Sequence, residues 1–247
     1  MTQAPRGSAR FLTTRWSVVL AARSAAEPLR RVALEELCAA YWYPLYAFAR
    51  RSGFDADAAA DLTQDFFAQL LSRTDLQRAD RERGRFRTYM LAALRHMIVN
   101  HREARRTLKR GGGTAQLSID AHDAETRFGR EPVDARTPEL AFERAWAEAV
   151  IARAFERLRE EQARIGREPL FDALRPALLA ADDAPPYAEV AARFSVTENS
   201  VKVAVHRLRR RLGELLRDEV GATLERPEEV EAEIAELFAA FSTPPVR

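Results

Sequence analysis

Between Thr197 and Arg211 the chain sets out side chains suited to reading a polyanion. Thr197, Ser200, Lys202, Val203, His206, Arg207 and Arg210 fall on the polar faces of one helical stretch, with Arg209 and Arg211 beside them. Val201, Val205, Leu208 and Leu212 recur at helical spacing and form an apolar stripe. Just upstream, Tyr187–Arg193 reads as a short helix with Val190 and Ala191 pointing inward. Phe194-Ser195-Val196 makes a turn with two apolar plugs, and Thr197 is the expected N-cap of the second helix. Glu198 follows in the first turn, where the helix dipole favours an acid. The pattern predicts a helix-turn-helix whose early residues read base edges in the major groove and whose later arginines neutralise phosphates. A solvated basic helix with no ligand is the competing interpretation. The short helix, the turn, the cap and the small Ala191 at the crossing all count against it.

Two further clusters lie nearer the N-terminus. Leu62, Phe66 and Leu70 recur every fourth residue as a core stripe, while Asp61, Gln64 and Asp65 share a different, polar face. An acidic face on a well-anchored helix suits docking to a basic partner. From Arg83 to Arg110 one side of a helix carries Met90, Leu91, Leu94 and Ile98, and another carries Arg83, Arg85, Arg87, Arg95, Arg102, Arg105 and Arg106. Phe86 and Tyr89 are interleaved. Cations with aromatic rings suit unpaired DNA, whose bases stack while its phosphates are held; Phe86 is better placed in the core. His96, His101 and Glu103 do not share a helical face, so no metal site is expected from them. No Gly-rich phosphate loop and no nucleophile arrangement appears, so no catalytic residue and no cofactor is expected.

The elements that must position these groups read as all-α. Ala, Leu, Arg and Glu dominate and strand-like alternation is absent. Helices are expected at Arg15–Ala22, Pro28–Ala40, Pro44–Arg51, from a cap at Asp55 through Ser72, and over Phe86–Arg106, stopped by Gly111-Gly112-Gly113. Residues 111–137, rich in Gly, Asp and Thr, read as a flexible linker. Thr137 and Pro138 open a helix running to Ile165, ended by Gly166, and another covers Pro169–Ala181. The helix-turn-helix then continues to about Val220. Pro227-Glu228-Glu229 starts a last helix with Val230, Ile234, Leu237, Phe238 and Phe241 along one side.

The 247 residues suffice for two small domains. Net charge is only +2, yet it is segregated. Residues 78–110 hold eleven basic against three acidic groups, and residues 218–247 hold two against eight. That asymmetry points to a nucleic-acid surface with an acidic tail. Cys38, the one cysteine, rules out an internal disulfide and reads as a buried, inert thiol. No membrane-length apolar run and no signal-peptide core appear, so a cytoplasmic location without membrane contact is expected.

Three segments in this order resemble the bacterial extracytoplasmic-function sigma factors. Asp61, Leu62, Gln64, Asp65 and Phe67 match that family's polymerase-binding motif. Phe86, Arg87, Tyr89 and Arg95 match its promoter-melting helix, with Met90 and His96 as variants. Tyr187, Glu189, Ala191, Val196, Val201, Lys202, Arg207 and Arg209 match its C-terminal helix-turn-helix. There are departures: Ser195 replaces the turn glycine, placing a non-Gly residue at positive φ. Ala204 stands where a basic residue is common. Ala58, Ala59 and Ala60 replace acids, residues 138–181 are longer than usual, and 220–247 form an added tail.

The resemblance implies two helical domains on a flexible linker, and a subunit that gives core RNA polymerase its promoter specificity without catalysing anything itself. It implies an N-terminal extension over 1–27 and a polymerase-binding and minus-ten domain over 28–110. After the linker at 111–137 comes a minus-thirty-five domain over 138–220; the acidic C-terminal helix over 221–247 is read from the residues and lies outside the resemblance. Asp61, Gln64, Asp65 and Phe67 would contact polymerase. Arg83, Arg85, Arg87, Tyr89, Arg95 and Arg102 would hold the minus-ten strand. Thr197, Ser200, Lys202, Val203, His206, Arg207 and Arg210 would hold the minus-thirty-five duplex. Thr63, read as lying beside the Asp61–Asp65 face, is a candidate phosphorylation position, where a phosphate would add about −1.5 to −2 charge. A Ser/Thr kinase or an anti-sigma regulator would then be a regulatory partner. Alternatively, Glu228–Glu236 would fold back on Arg207–Arg211 and mask them. The competing function is a helix-turn-helix regulator that binds operators without meeting polymerase.

Overall fold

The structure, a computed structural model, describes residues 27–71, 86–107, 121–130, 137–179, 184–224 and 226–242. The expected helix at Arg15–Ala22, Arg83, Arg85 and the Gly111–Gly113 stop lie outside the described residues. Among the described residues there are helices and turns and no strand. The elements are α1 (Glu27–Arg51), α2 (Ala56–Leu71), α3 (Phe86–Thr107), α4 (Ala121–Arg130), α5 (Pro138–Arg164), α6 (Glu168–Leu178), α7 (Tyr187–Arg193), α8 (Glu198–Gly221) and α9 (Val230–Ser242). A short 3-10 turn, Pro227–Glu229, leads into α9. The chain divides into two compact units, residues 1–147 with 222–247, and residues 148–221. The division falls inside α5 rather than in the glycine-rich stretch, and α9 belongs to the first unit.

In the first unit α1 is the central element. Two helices were expected here, broken before Pro44, but one helix runs through. A proline inside a helix costs a hydrogen bond and about 3 kcal/mol. Ala40 to Ala49 are nonetheless buried almost without exception, Tyr41, Leu45 and Tyr46 completely, and this packing outweighs the local cost. Gly53, at φ 92°, ends the turn after α1. Asp55 then caps α2, its Oδ1 accepting the Ala58 N–H at 2.8 Å, and α2 packs on α1. Cys38 is half-buried, and burial, then Glu35, pushes its thiol up to about 11, so it stays protonated and inert at neutral pH.

Residues 121–130, expected as part of a flexible linker, form α4 instead. The reason is a set of contacts with α1 that composition does not reveal. Glu125 accepts from Arg50 Nε at 3.0 Å and Nη2 at 2.8 Å, and from the Tyr46 hydroxyl. The Phe128 ring lies under both the Arg50 and Arg51 guanidinium groups, 4.8 and 4.9 Å from its centroid. Arg127 stacks on Tyr43 at 3.7 Å.

In the second unit the rest of α5 and α6–α8 close around Val150, Leu158, Phe171, Leu174, Val201, Val205 and Leu208. Gly166, at φ 69°, separates α5 from α6. Glu219 of α8 is buried and held by Arg157 at 2.7 Å and Arg153 at 3.6 Å.

Candidate docking and nucleic-acid surfaces

On α2 the polar face is where its spacing put it. Asp61 and Asp65 are exposed and Gln64 is half-buried. Phe67 is not on that face. It is 5% exposed and meets Phe66 edge-on at 5.7 Å, so it supports the helix from beneath. Thr63 also lies inside. It is fully buried, and its hydroxyl donates to the Ala59 carbonyl at 2.8 Å. The i−4 carbonyl satisfies a hydroxyl that would otherwise be buried unpaired, and a kinase would have to pull α2 apart to reach it.

Along α3, Phe86, Met90, Leu91, Leu94 and Ile98 are buried as the periodicity requires, Phe86 against Tyr41 at 5.6 Å. The basic face is less uniform. Arg87 is buried at 7% exposure, its guanidinium over the Trp146 ring and paired with carboxylates. It presents no surface to DNA in this state. Arg95 is exposed and bonded to Glu139 at 2.6 Å, and Arg102 is exposed, donating to the Ser52 carbonyl at 2.6 Å and stacked near Phe54. Tyr89 is half-buried, stacked on Phe86 at 6.0 Å. It lines a pocket of about 690 Å³ between α2 and α3, together with Asp65, Gln69, His96, Asn100 and His101.

In the second unit, α7 and α8 cover the expected residues. Thr197 Oγ1 accepts the Ser200 N–H at 3.1 Å and meets the Ser200 hydroxyl at 2.8 Å. Ser195 takes φ 54°, the left-handed conformation that a glycine would adopt without strain. Val196 is 42% exposed, so of the two turn residues expected as plugs only Phe194 is half-buried. Leu212 is half-buried where full burial was expected.

Ser200, Lys202, Val203, His206, Arg207 and Arg210 are all exposed. Lys202 pairs with Glu198 at 2.8 Å, and that bond raises its pKa. Arg210, though exposed, is ion-paired with Glu214 at 3.2 Å, and two further arginines are engaged within the unit. Arg209 donates to the Ala177 carbonyl at 2.6 Å, and Arg211 binds Glu161 through two bonds and Glu214 through a third. These carboxylates hold the Arg211 pKa well above its ordinary value. One exposed residue escaped the sequence reading. Asn199 lies one turn before Val203, so Asn199, Val203, His206 and Arg210 form a single exposed row. Its spacing to Val203 would have revealed it.

Residues 28–176 match the family model described as ECF sigma factor. The chain belongs to the ECF sigma factor family. No curated protein and no solved structure matches it. In this ECF sigma factor the matched segment takes in nearly all of α1, then α2–α5 and most of α6, and stops before α7 and α8. Among the described residues no group of three or more His, Cys, Asp or Glu is placed to hold a metal, and no helix is long and apolar enough to cross a membrane.

Proposed function

We propose that this chain binds core RNA polymerase and directs promoter recognition and transcription initiation. The family match carries the proposal, supported by the face that exposed Asp61 and Asp65 form, with half-buried Gln64 between them, within the matched segment. That face docks on a basic surface of polymerase. Tyr89, Arg95 and Arg102, with Arg83 and Arg85 from outside the described residues, engage the minus-ten strand as it opens. Here Tyr89 offers a ring for stacking, and Arg95 and Arg102 offer exposed cations. The α7–α8 pair acts as a helix-turn-helix on the minus-thirty-five duplex. Arg207 and Arg210 take phosphates, while Asn199, Val203 and His206 face base edges. Asn is matched to adenine N6 and N7, and Val203 to a thymine methyl. The protein supplies specificity and positioning and no chemical step, so it takes no cofactor.

Run-off transcription with purified core polymerase on genomic promoter fragments tests this reading. Discrete transcripts that require the protein support it. Stable operator binding without polymerase, and no transcript, would instead identify a helix-turn-helix regulator that acts alone. Because Thr63 is buried, control by a Ser/Thr kinase needs another acceptor or an opened α2; an anti-sigma regulator would compete for the Asp61–Asp65 face.

A further inference from the structure

Arg87 was expected among the cations that meet promoter DNA, yet its guanidinium is occupied from within the first unit. Nε lies 3.4 Å from Glu143 Oε2, Nη1 is ion-paired with Glu233, and Nη2 lies 3.2 Å from Glu236 Oε2. The group sits 4.4 Å over the Trp146 ring. Two of the three carboxylates come from α9. A second contact, Arg144 over Phe241 at 5.4 Å, also joins α9 to the start of α5. Residues 227–242 contain five glutamates and no basic residue. Carboxylate oxygens present to an arginine fork the same acceptor geometry as phosphate oxygens.

We propose that α9 is an intramolecular competitor for the promoter strand, latched over Arg87 and displaced when DNA phosphates take its place. Glu233 and Glu236 hold the fork that a phosphate would hold, and the remaining glutamates of the segment repel nucleic acid from the start of α3. The attachment suits reversal. Leu237 is the one apolar residue of α9 that is fully covered among those described, with Val230, Ile234 and Phe241 half-buried, so only moderate apolar burial resists its departure. A buried ion cluster adds little net stability once its desolvation cost is counted. Release would return Glu233 and Glu236 to water and leave Arg87 beside Glu143 of α5, stranding no charge. This inference rests on α3 being the promoter-strand helix.

The full-length double variant Glu233→Gln/Glu236→Gln tests it, with and without Arg87→Ala. Two quantities are read: amide hydrogen exchange over residues 230–242, and affinity for a fluorescein-labelled single-stranded DNA oligomer across a salt series. The double variant should exchange faster in α9 and bind several-fold tighter at low salt. Its log–log salt slope should steepen by about 0.7, the value for one added phosphate contact on a single strand, and Arg87→Ala should remove both gains. Glu236→Gln alone changes a surface-accessible side chain. If the double variant fails to fold, this single change should give a smaller gain in the same direction. Faster exchange with unchanged affinity and slope would overturn the competitor while leaving the promoter-strand reading intact. Absence of salt-sensitive binding in every form would overturn that reading and the competitor with it.

Discussion

Asn199 and Arg207 divide the work of α8 differently, and the division is measurable. If Asn199 reads a base edge, Asn199→Ala should cost about 1–3 kcal/mol at one promoter position and relax specificity there. If Arg207 holds phosphate, Arg207→Ala should weaken all sequences alike and lower the salt slope by about 0.9 on duplex DNA. Lys202→Ala should fall between the two, because its bond to Glu198 already engages the ammonium. Footprints and salt titrations of the polymerase complex on promoter variants check all three, and unchanged footprints would remove α8 from the readout. At this scale the sequence placed Asp61, Asp65 and the exposed residues of α8 other than Asn199 well, because helical spacing alone determines them. It misplaced Phe67, Thr63 and Arg87. Burial of Phe67 and Thr63 depends on how wide the covered face of α2 is, which the three-residue stripe of Leu62, Phe66 and Leu70 underestimates. Burial of Arg87 depends on Trp146 and α9, distant in sequence.

At the level of elements, α2 is held by Leu62, Phe66, Phe67 and Leu70 beneath a polar face that adds nothing to the core. Asp61→Lys with Asp65→Lys should therefore leave helicity and thermal stability nearly unchanged and abolish co-purification with core polymerase; retained co-purification would refute the docking face. Helix starts were legible wherever a capping side chain marks them. Asp55 and Thr197 bond the amides expected of them, and Thr137 Oγ1 accepts the Leu140 N–H at 3.2 Å. The unbroken α1 and the presence of α4 were not legible, because tertiary contacts decide both. For α4 those contacts give a pH dependence. Bonds from Arg50, then Tyr46, lower the Glu125 pKa, against an opposing contribution from burial. A carboxylate with a lowered folded pKa contributes stability above its ordinary value of 4.5, lost as pH falls through the lowered one. Amide protection factors in residues 121–130, referred to the intrinsic exchange rate at each pH, should thus fall on acidification below about pH 4.5, and Glu125→Gln should remove that fall. Glu125 is partly exposed, so solvent screening keeps the effect modest.

At the scale of the whole chain, charge segregation and division into units were expected from the sequence, but not where the division falls. The glycine-rich stretch looked like the boundary because composition marks flexibility. The compact units separate within α5, and residues 222–247 return to the first unit. Residues 148–221 are therefore inserted between two segments of the other unit. Each unit has its own buried charge cluster, Arg87 with Glu143, Glu233 and Glu236 in one, and Arg153 and Arg157 with Glu219 in the other. Each also has its own apolar core, so thermal unfolding should not be a single two-state transition. Leu94→Ala opens a cavity in the first unit and should cost about 3 kcal/mol. Leu208→Ala opens a cavity in the second and should cost about 2 kcal/mol. Calorimetry should then show two components, with Leu94→Ala lowering one midpoint and Leu208→Ala the other. Equal shifts of one shared transition by both substitutions would show instead that the units unfold together, and the two costs would then add, because the sites share no partners.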